Sequence, residues 1–213
     1  MLKQTTIFIL FFVFFIQATY PTQALPTRDS TAESALEQTI RKRRSHRTFT
    51  NTALSEEEIS RILFAGQGIT EDTHGFRTAP SAGATYPLSL YVFTEEGVFL
   101  YVPTEHHLKK ISSEDSREML SQAALGQDFI AEAGATFLFS AIPQRTTNRY
   151  GSRGMQYIYM ECGHAAQNML LQATDLGLSG VPVGAFTEEA LRPLLYHPDE
   201  EVPLYIISIG RER

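Results

Sequence analysis

A short basic segment in the first quarter of the chain carries the side chains best suited to bind an anion. Residues 41–47 read RKRRSHR, and in an extended backbone Arg43, Ser45 and Arg47 would point the same way because alternate residues share a face. Two guanidinium groups and a hydroxyl on one side are suited to holding a phosphate. A solvated face or a targeting patch is the alternative interpretation of such a basic run.

Two further segments are suited to contact with a flat ligand. Residues 78–87 read TAPSAGATYP, a run of small side chains between two prolines that predicts either a turn or a lid over a ligand. Residues 177–184 read GLSGVPVG, where glycine permits close approach of the backbone to a ligand and Pro182 stiffens the chain. This second segment is predicted to be a loop that presents backbone amides, with an ordinary helix-to-strand turn as the alternative.

A long apolar helix must position the second of these loops. The apolar side chains between Tyr157 and Leu176 do not form a single stripe, which predicts a helix that is buried on more than one side. Gly177 is suited to the left-handed position that ends a helix. The single cysteine of the chain, Cys162, lies within this helix and is predicted to be an inert core residue.

The remaining pattern predicts an α+β domain with a mostly antiparallel sheet. Ser55 and Glu58 form a capping box that starts a helix. His106 and His107 are adjacent, so their side chains point apart and no metal site is predicted there. Strands are predicted over residues 88–94, 98–102, 133–142 and 202–209, and further helices over residues 112–125 and 187–195.

Composition places the chain among single-domain globular proteins. Its 213 residues suit one domain of ordinary size, with 43% hydrophobic and 20% charged residues. The net charge of -6 argues against general nucleic-acid binding. A single cysteine excludes an intrachain disulfide framework and a multi-cysteine metal site.

The first residues have the pattern of a secretory signal peptide. A positive charge precedes an apolar run over residues 7–16, and small residues lead to a predicted cleavage site after Ala24. The run is shorter than the roughly 20 residues that a membrane-spanning helix needs. We therefore predict a protein exported to the periplasm or secreted, with an uncleaved anchor as the alternative. The predicted organisation is a signal peptide over residues 1–24, a linker over 25–38 and a folded domain over 39–213.

Three separated motifs together resemble those of the nitroreductase superfamily. They are RRSHR at residues 43–47, PSAGATYP at 80–87, and GHAAQN followed by GL and VPVGAF within 163–186. Within the superfamily they look most like the SagB-type branch of azoline dehydrogenases, and the resemblance covers residues 39–211. It implies a nitroreductase-like fold, FMN as the cofactor, and a homodimer with the flavin and the long helix at the subunit interface.

The resemblance also implies roles for particular residues. The phosphate and ribityl chain of FMN would be held by Arg43, Arg44, Ser45 and Arg47, with Arg211 added to the phosphate site. The flavin face would meet small residues supplied by the other subunit, namely Pro80, Ser81, Ala82 and Gly83. Beside the redox-active edge would lie Val183, Gly184 and Ala185, where a backbone N–H can bond flavin N5 and tune the ring.

One position departs from the pattern of the ring-oxidising members. They carry a Lys-Tyr pair just before the long helix, and the matching pair here is Arg149-Tyr150. Arginine stays charged and cannot become a proton-accepting base. This argues against azoline oxidation and leaves Tyr150 as the candidate catalytic residue.

The sequence thus predicts an exported FMN-dependent oxidoreductase. It would transfer a hydride between flavin N5 and a small organic or peptide substrate, as the SagB-type resemblance implies. One alternative is a nitro or quinone reductase that takes its electrons from NAD(P)H. The other is a flavin-binding protein without turnover.

Overall fold

The computed structural model describes residues 22–27 and 31–213, and the chain divides into two units after Glu33. The described residues before the division, 22–27 and 31–33, include no helix or strand. Most of the predicted signal peptide, residues 1–21, lies outside the described residues. No helix in the described part of the chain combines the length and the apolar character needed to cross a bilayer.

The folded unit, Ser34–Arg213, is built from helices on both faces of one main sheet. Its helices are α1 (Ala35–Lys42), α2 (Glu56–Gln67), α3 (Arg117–Ala123), α4 (Phe129–Glu132), α5 (Gln144–Tyr150), α6 (Gly154–Asp175) and α7 (Glu188–Leu191). Its strands are β1 (Ile69–Glu71), β2 (Phe76–Arg77), β3 (Leu88–Thr94), β4 (Gly97–Val102), β5 (His107–Ser112), β6 (Ala135–Ala141), β7 (Ser179–Val183) and β8 (Val202–Gly210). Short 3-10 turns occupy Ala82–Ala84, Gly151–Arg153 and Arg192–Leu194.

The first helix begins earlier than the predicted linker allows. Ser34 caps α1 by accepting from the Glu37 N–H at 3.3 Å, while the Glu37 carboxylate accepts from the Ser34 N–H at 2.7 Å. This reciprocal pair satisfies two backbone donors that a helix start would otherwise leave without partners. The linker predicted to run to residue 38 therefore ends before Ser34. The capping box at Ser55 and Glu58, which was predicted, starts α2 in the same way.

The main sheet is antiparallel throughout, as the sequence predicted. Its strand order is β5-β4-β3-β6-β8-β7, and every neighbouring pair is antiparallel. The central strand β6 is buried at all of its positions, because it has a neighbour on each side and a helical layer on each face. The predicted hairpin of residues 88–94 and 98–102 is the β3–β4 pair. A separate two-stranded sheet joins β1 and β2.

Side chains alternate between two cores on opposite faces of the sheet. In β3, Leu90 and Val92 pack in the core that α2 and α6 cover. Tyr91 and Phe93 point the other way, into the core formed with α3, α4 and α7. The period of two in the strand produces this division, and full burial of one large apolar side chain contributes about 1.5–3 kcal/mol.

The long helix α6 ends as its sequence predicts. Gly177 has φ of 74°, a left-handed conformation that costs glycine little. The Leu178 N–H donates to the Ala173 carbonyl at 2.8 Å and the Gly177 N–H to the Thr174 carbonyl at 3.1 Å, the pattern of a Schellman motif. The buried face of the helix includes Cys162, as predicted.

The other side of α6 is not covered by its own chain. Tyr159 is 58% exposed and Met160 is 50% exposed, so within one subunit only one side of the helix is buried. Burial on a second side, which the sequence predicted, requires a partner and stays a prediction.

Two stretches differ from the sequence prediction. Residues 107–112 form the edge strand β5, and the helix predicted over residues 112–125 is limited to α3. The sequence of this strand does not alternate between apolar and polar residues, because it includes Lys109 and Lys110, and charged side chains are typical of a sheet edge. For residues 177–184 the structure shows the alternative interpretation, a helix-to-strand turn, because Ser179–Val183 is the edge strand β7, a position that tolerates Pro182.

Candidate functional site

The basic segment leaves α1 as an extended chain that lies against the outer edge of β7. Ser45 forms a parallel bridge with Gly180, and the His46 N–H donates to the Gly180 carbonyl at 3.3 Å. The His46 ring also contacts the Glu212 carboxylate, with Nδ1 and Oε1 2.7 Å apart. These contacts fix the backbone of the segment beside the end of the chain.

The arginines of this segment differ in what their guanidinium groups contact. Arg44 Nη1 donates to the carbonyls of Arg41 and Arg43 at 2.8 and 2.7 Å, so it supports the local backbone. Arg47 lies with its guanidinium carbon 6.0 Å from the centre of the Phe129 ring. Within the described residues, neither Arg43 nor Arg47 has an ion-pair partner. Two guanidinium groups on a fixed backbone are therefore available to an anion.

Arg211 is brought to the same region by its backbone, and its side chain is already engaged. Its carbonyl accepts from the Thr50 N–H at 3.0 Å. Its guanidinium donates to the Ala53 carbonyl at 3.3 Å and pairs with Glu58 Oε1 at 2.9 Å. Burial opposes ionisation of Glu58, but hydrogen bonds from Ser55 and the charge of Arg211 hold the pKa of this carboxyl below its ordinary value. Of the predicted phosphate ligands, Arg211 is the one with a competing carboxylate.

The loop of small residues closes tightly next to the end of α5. Gly83 adopts φ of 62°, and the Ser81 hydroxyl accepts from the Tyr86 N–H at 3.0 Å. Arg149 Nη1 donates to the Gly83 carbonyl at 3.3 Å. A Cβ added at Gly83 would stand 2.6 Å from both Arg149 Nη1 and the Tyr150 hydroxyl. The structure thus brings the predicted flavin-facing loop together with the predicted catalytic tyrosine.

The third predicted segment continues from the end of β7 into exposed loop. Val183 is buried in the sheet, whereas Gly184 and Ala185 are exposed. A Cβ added at Gly184 would have its nearest neighbour, the Tyr205 ring, at 3.9 Å. The backbone at this position is therefore open to a ligand and is backed by an aromatic side chain from β8.

Beneath the small-residue loop lies a buried polar cluster that the sequence analysis missed. It consists of Glu161 on α6, Gln67 at the end of α2, Arg77 on β2, and Ser81. Glu161 is 3% exposed and Gln67 is 1% exposed. Arg77 Nη1 donates to Gln67 Oε1 at 2.5 Å, and its guanidinium stacks 4.5 Å from the centre of the Tyr86 ring. A signal was present in the sequence, because Glu161 is an acid on the apolar face of the long helix.

The surroundings of Glu161 in this cluster shift the pKa of its carboxyl group. Burial raises the pKa of Glu161 to about 7, against the opposing effects of the Ser81 hydroxyl and the Arg77 charge. Burial also lowers the pKa of Arg77 from its ordinary value. The next residue of the helix, Cys162, has a thiol pKa raised to about 12 by burial and by Glu161, so the thiol stays protonated.

Two concavities of the single chain lie elsewhere. One, of 340 Å³, is lined by α2 and the β4–β5 hairpin and contains a hydrogen-bonded chain in which His106 joins Ser60 and Tyr101. The other, of 550 Å³, lies between α1 and α6. None of the predicted cofactor residues lines either one. No group of three or more potential metal ligands occurs within the described residues.

With this fold and these segments, the chain belongs to the Nitroreductase family, whose family model matches residues 40–211. It is an oxidoreductase of that family. A nitroreductase-family relative from Methanocaldococcus jannaschii is 45% identical over 186 residues, which cover 84% of this chain and 92% of the relative.

Solved structures agree with the fold. A nitroreductase-family structure from Ralstonia eutropha superposes with a TM-score of 0.77 at 28% identity, covering 89% of this chain and 88% of that one. A Desulfovibrio desulfuricans structure, described as a complex with FMN, superposes with a TM-score of 0.64 at 23% identity over 85% of this chain and 88% of that one. The second likeness concerns the fold alone.

Proposed function

We propose that this chain is an FMN-dependent oxidoreductase that moves a hydride between flavin N5 and a small organic substrate. The observation that carries the proposal is the basic segment, which is held extended against β7 with the guanidinium groups of Arg43 and Arg47 free of ion pairs within the described residues. Family membership supports a flavin as the ligand. When bound, the flavin would supply the redox chemistry, and the chain would bind and orient it.

Each predicted segment has a property that suits one part of FMN. Arg43 and Arg47 suit the phosphate, since charge-assisted bonds from forked guanidinium groups are the strong ones. The loop of residues 80–83 suits the ring face because its side chains are small, and Gly83 lets this loop close onto Arg149 and Tyr150, where a Cβ would collide. Exposed backbone at Gly184 and Ala185 suits the N5 edge. Arg211 fits less well, since a phosphate would have to share it with Glu58.

The substrate class follows from the pair Arg149-Tyr150. A guanidinium that donates to the Gly83 carbonyl is a fixed positive charge, which cannot accept a proton from an azoline ring. We therefore favour reduction of quinone or nitro compounds with electrons from NAD(P)H over SagB-type ring oxidation. A flavin-binding protein without turnover is the remaining alternative, and bleaching of the bound flavin by NADPH distinguishes the two. Export, with a mature protein that begins near Leu25, stays part of this proposal.

FMN binding is expected to depend on the basic segment. Replacing Arg43 or Arg47 by alanine should weaken FMN binding about ten- to a hundredfold, since a charge-assisted hydrogen bond contributes roughly 1.5–3 kcal/mol. Riboflavin has no phosphate, so its affinity should be the same in wild type and variants. Fluorescence titration with both ligands measures the two affinities.

The matched control for this titration is Arg61→Ala, which removes an exposed arginine on α2 that pairs with Asp175. This variant should bind FMN as wild type does. Equal FMN affinity in wild type, Arg43→Ala and Arg47→Ala would show that the segment is not the phosphate site. Arg211→Ala is a poorer test, because it also leaves the partly buried Glu58 without its partner.

We also propose that a second copy of the chain covers the open side of α6. Tyr159 and Met160 on this helix are half exposed or more, and α1 adds the exposed side chains of Leu36 and Ile40. Several large apolar side chains exposed on two neighbouring helices are typical of an interaction site. Light scattering should give about twice the mass of one chain for wild type. Met160→Glu should give the monomer, because a charge would be buried at the interface.

The control for the dimer is Met119→Glu on α3. Met119 is 53% exposed, much like Met160, but belongs to a helix on the other face of the sheet. It should leave the mass unchanged. A monomeric wild type that still binds FMN would contradict an interfacial flavin.

A further inference from the structure

The polar cluster under the small-residue loop contains atoms that have no partner in the described residues. They are Glu161 Oε1, Gln67 Nε2 and Arg77 Nε, all without solvent contact. Buried polar atoms are nearly always hydrogen-bonded, because an unpaired one destabilises the folded state. Three such atoms within one small region destabilise the fold, so the cluster is expected to have a role other than stabilisation.

The surroundings of Glu161 set the charge that it can hold. Ser81 faces it from the small-residue loop, and Arg77 faces it from β2. On its own helix the neighbouring titratable group is the Cys162 thiol, beyond which lies Tyr205 of β8. Among these groups Arg77 alone is a cation, and its Nη1 is already directed at Gln67. The carboxyl thus has a partial counter-charge, which leaves its charged and neutral forms close in free energy near neutral pH.

Ser81 can change its hydrogen bonds with the state of Glu161. A serine hydroxyl has one proton and two lone pairs, and the Tyr86 N–H occupies one lone pair at 3.0 Å. Facing a carboxylate, the Ser81 O–H can turn to donate to Glu161, the interaction that opposes the rise of the Glu161 pKa. Facing a neutral carboxyl, Ser81 Oγ accepts with its second lone pair, and its own proton is free to point out of the loop. Because Ser81 is half-buried, it joins the buried acid to the surface of the loop.

We propose that Glu161 holds the proton that accompanies hydride transfer at this site, and that the Ser81 hydroxyl passes it to the substrate. The inference rests on the proposed function, which places the substrate and flavin against the small-residue loop. A quinone that accepts a hydride from reduced flavin becomes a hydroquinone anion and needs one proton. The Glu161 O–H bond breaks as a bond to Ser81 Oγ forms, and the original Ser81 proton moves to the substrate oxygen. After the product leaves, water in its place returns a proton to the carboxylate through the Ser81 hydroxyl.

Glu161 therefore acts on the substrate through Ser81, and Ser81 is the group that touches the substrate. The variant Glu161→Gln should bind FMN within about twofold of wild type, since Glu161 is not among the predicted cofactor residues. Ser81 is one of those residues, so Ser81→Ala is assayed at saturating FMN. The kcat of both variants for quinone reduction should fall roughly a hundredfold, the usual contribution of a positioned proton donor. Wild-type kcat should decline as pH rises through about 7. This decline should vanish in Glu161→Gln and survive in Ser81→Thr, which keeps the hydroxyl.

We call the transfer of a proton from Glu161 through Ser81 the relay. Two controls separate the loss of this relay from a general loss of folding and from a failure of the proposed function. Glu96→Gln changes an exposed acid in the β3–β4 turn and should leave kcat and its pH profile as in wild type. Infrared difference spectra of the purified protein should contain a protonated-carboxyl band that disappears with a midpoint near pH 7 and is missing in Glu161→Gln.

The outcomes are distinguishable. A wild type that binds no FMN would overturn the proposed function, and the relay with it. A wild type that binds FMN and reduces quinones, with Glu161→Gln unchanged in kcat and pH profile, would overturn the relay alone. A carboxyl band that titrates near the ordinary value of 4.5 would do the same.

Discussion

Replacing Glu201 by alanine is expected to lower the free energy of unfolding by about 2–6 kcal/mol, because each buried hydroxyl that loses its acceptor costs roughly 1–3 kcal/mol. Glu201 is fully buried at the entry to β8. Its carboxylate accepts from the Tyr91 hydroxyl at 2.9 Å and from the Ser140 hydroxyl. The substitution would leave two buried hydroxyl donors without their acceptor and would open a cavity between them.

The network is extensive enough to make this loss large. The Tyr91 hydroxyl also accepts from the Tyr196 N–H at 2.8 Å, so one phenol links β3 to the segment before β8. Burial and the nearby Glu201 carboxylate raise the pKa of Tyr91 well above its ordinary value, which keeps the phenol protonated and able to donate. On the other side, Arg192 Nη1 donates to the Glu201 carbonyl at 3.2 Å. Both the side chain and the backbone of Glu201 therefore hold the same turn.

Urea unfolding followed by circular dichroism measures the effect, with Glu200→Ala as the matched control. Glu200 is the exposed neighbour, so its removal should change the free energy of unfolding by less than about 0.5 kcal/mol. Glu201→Gln should fall between the two, because its amide oxygen still accepts from one hydroxyl. A loss below about 1 kcal/mol in Glu201→Ala would contradict the view that the buried carboxylate organises this turn.

Helices, strands and turns whose contacts lie close together in the sequence could be predicted from the local pattern of residue types. The alternation of residues 88–102 predicted the β3–β4 hairpin, and Gly177 predicted the end of α6, since each signal lies within a few residues of the feature it determines. The prediction that Arg211 lies near the basic segment came from the resemblance to the nitroreductase superfamily. Pairing of residues so far apart in the chain depends on the whole sheet, which no local pattern contains.

The features that were missed are those that depend on position in the fold. Strand β5 is polar because it is an edge, and edge position is a property of the finished sheet. The cluster of Gln67, Arg77 and Glu161 joins α2, β2 and α6, so its members are adjacent only after the layers pack. The ion pair between Arg211 and Glu58 on α2 was missed for the same reason, and the role of Arg211 at the phosphate stays a prediction.

The last prediction concerns the pH dependence of stability that Glu161 produces. The pKa of Glu161 is raised to about 7 in the folded protein from an ordinary value of 4.5, mainly by burial. Between these two values the folded state binds more protons than the unfolded state, so stability falls as pH rises through this window. The contribution is complete below about pH 4.5 and lost above about pH 7. At about 1.4 kcal/mol for each pH unit between the two values, the loss amounts to about 3 kcal/mol.

Glu161→Gln removes this dependence, because the amide does not titrate. The free energy of unfolding of the variant minus that of wild type should therefore increase by about 3 kcal/mol between pH 5 and pH 8. Taking the difference cancels the titration of all other groups, which both proteins share. Urea unfolding at several pH values measures it, and Glu96→Gln should give a difference that does not change with pH. If the difference in unfolding free energy between Glu161→Gln and wild type did not change with pH, Glu161 would be ionised throughout the range. Arg77 would then be a full counter-charge and not the partial one that the geometry indicates.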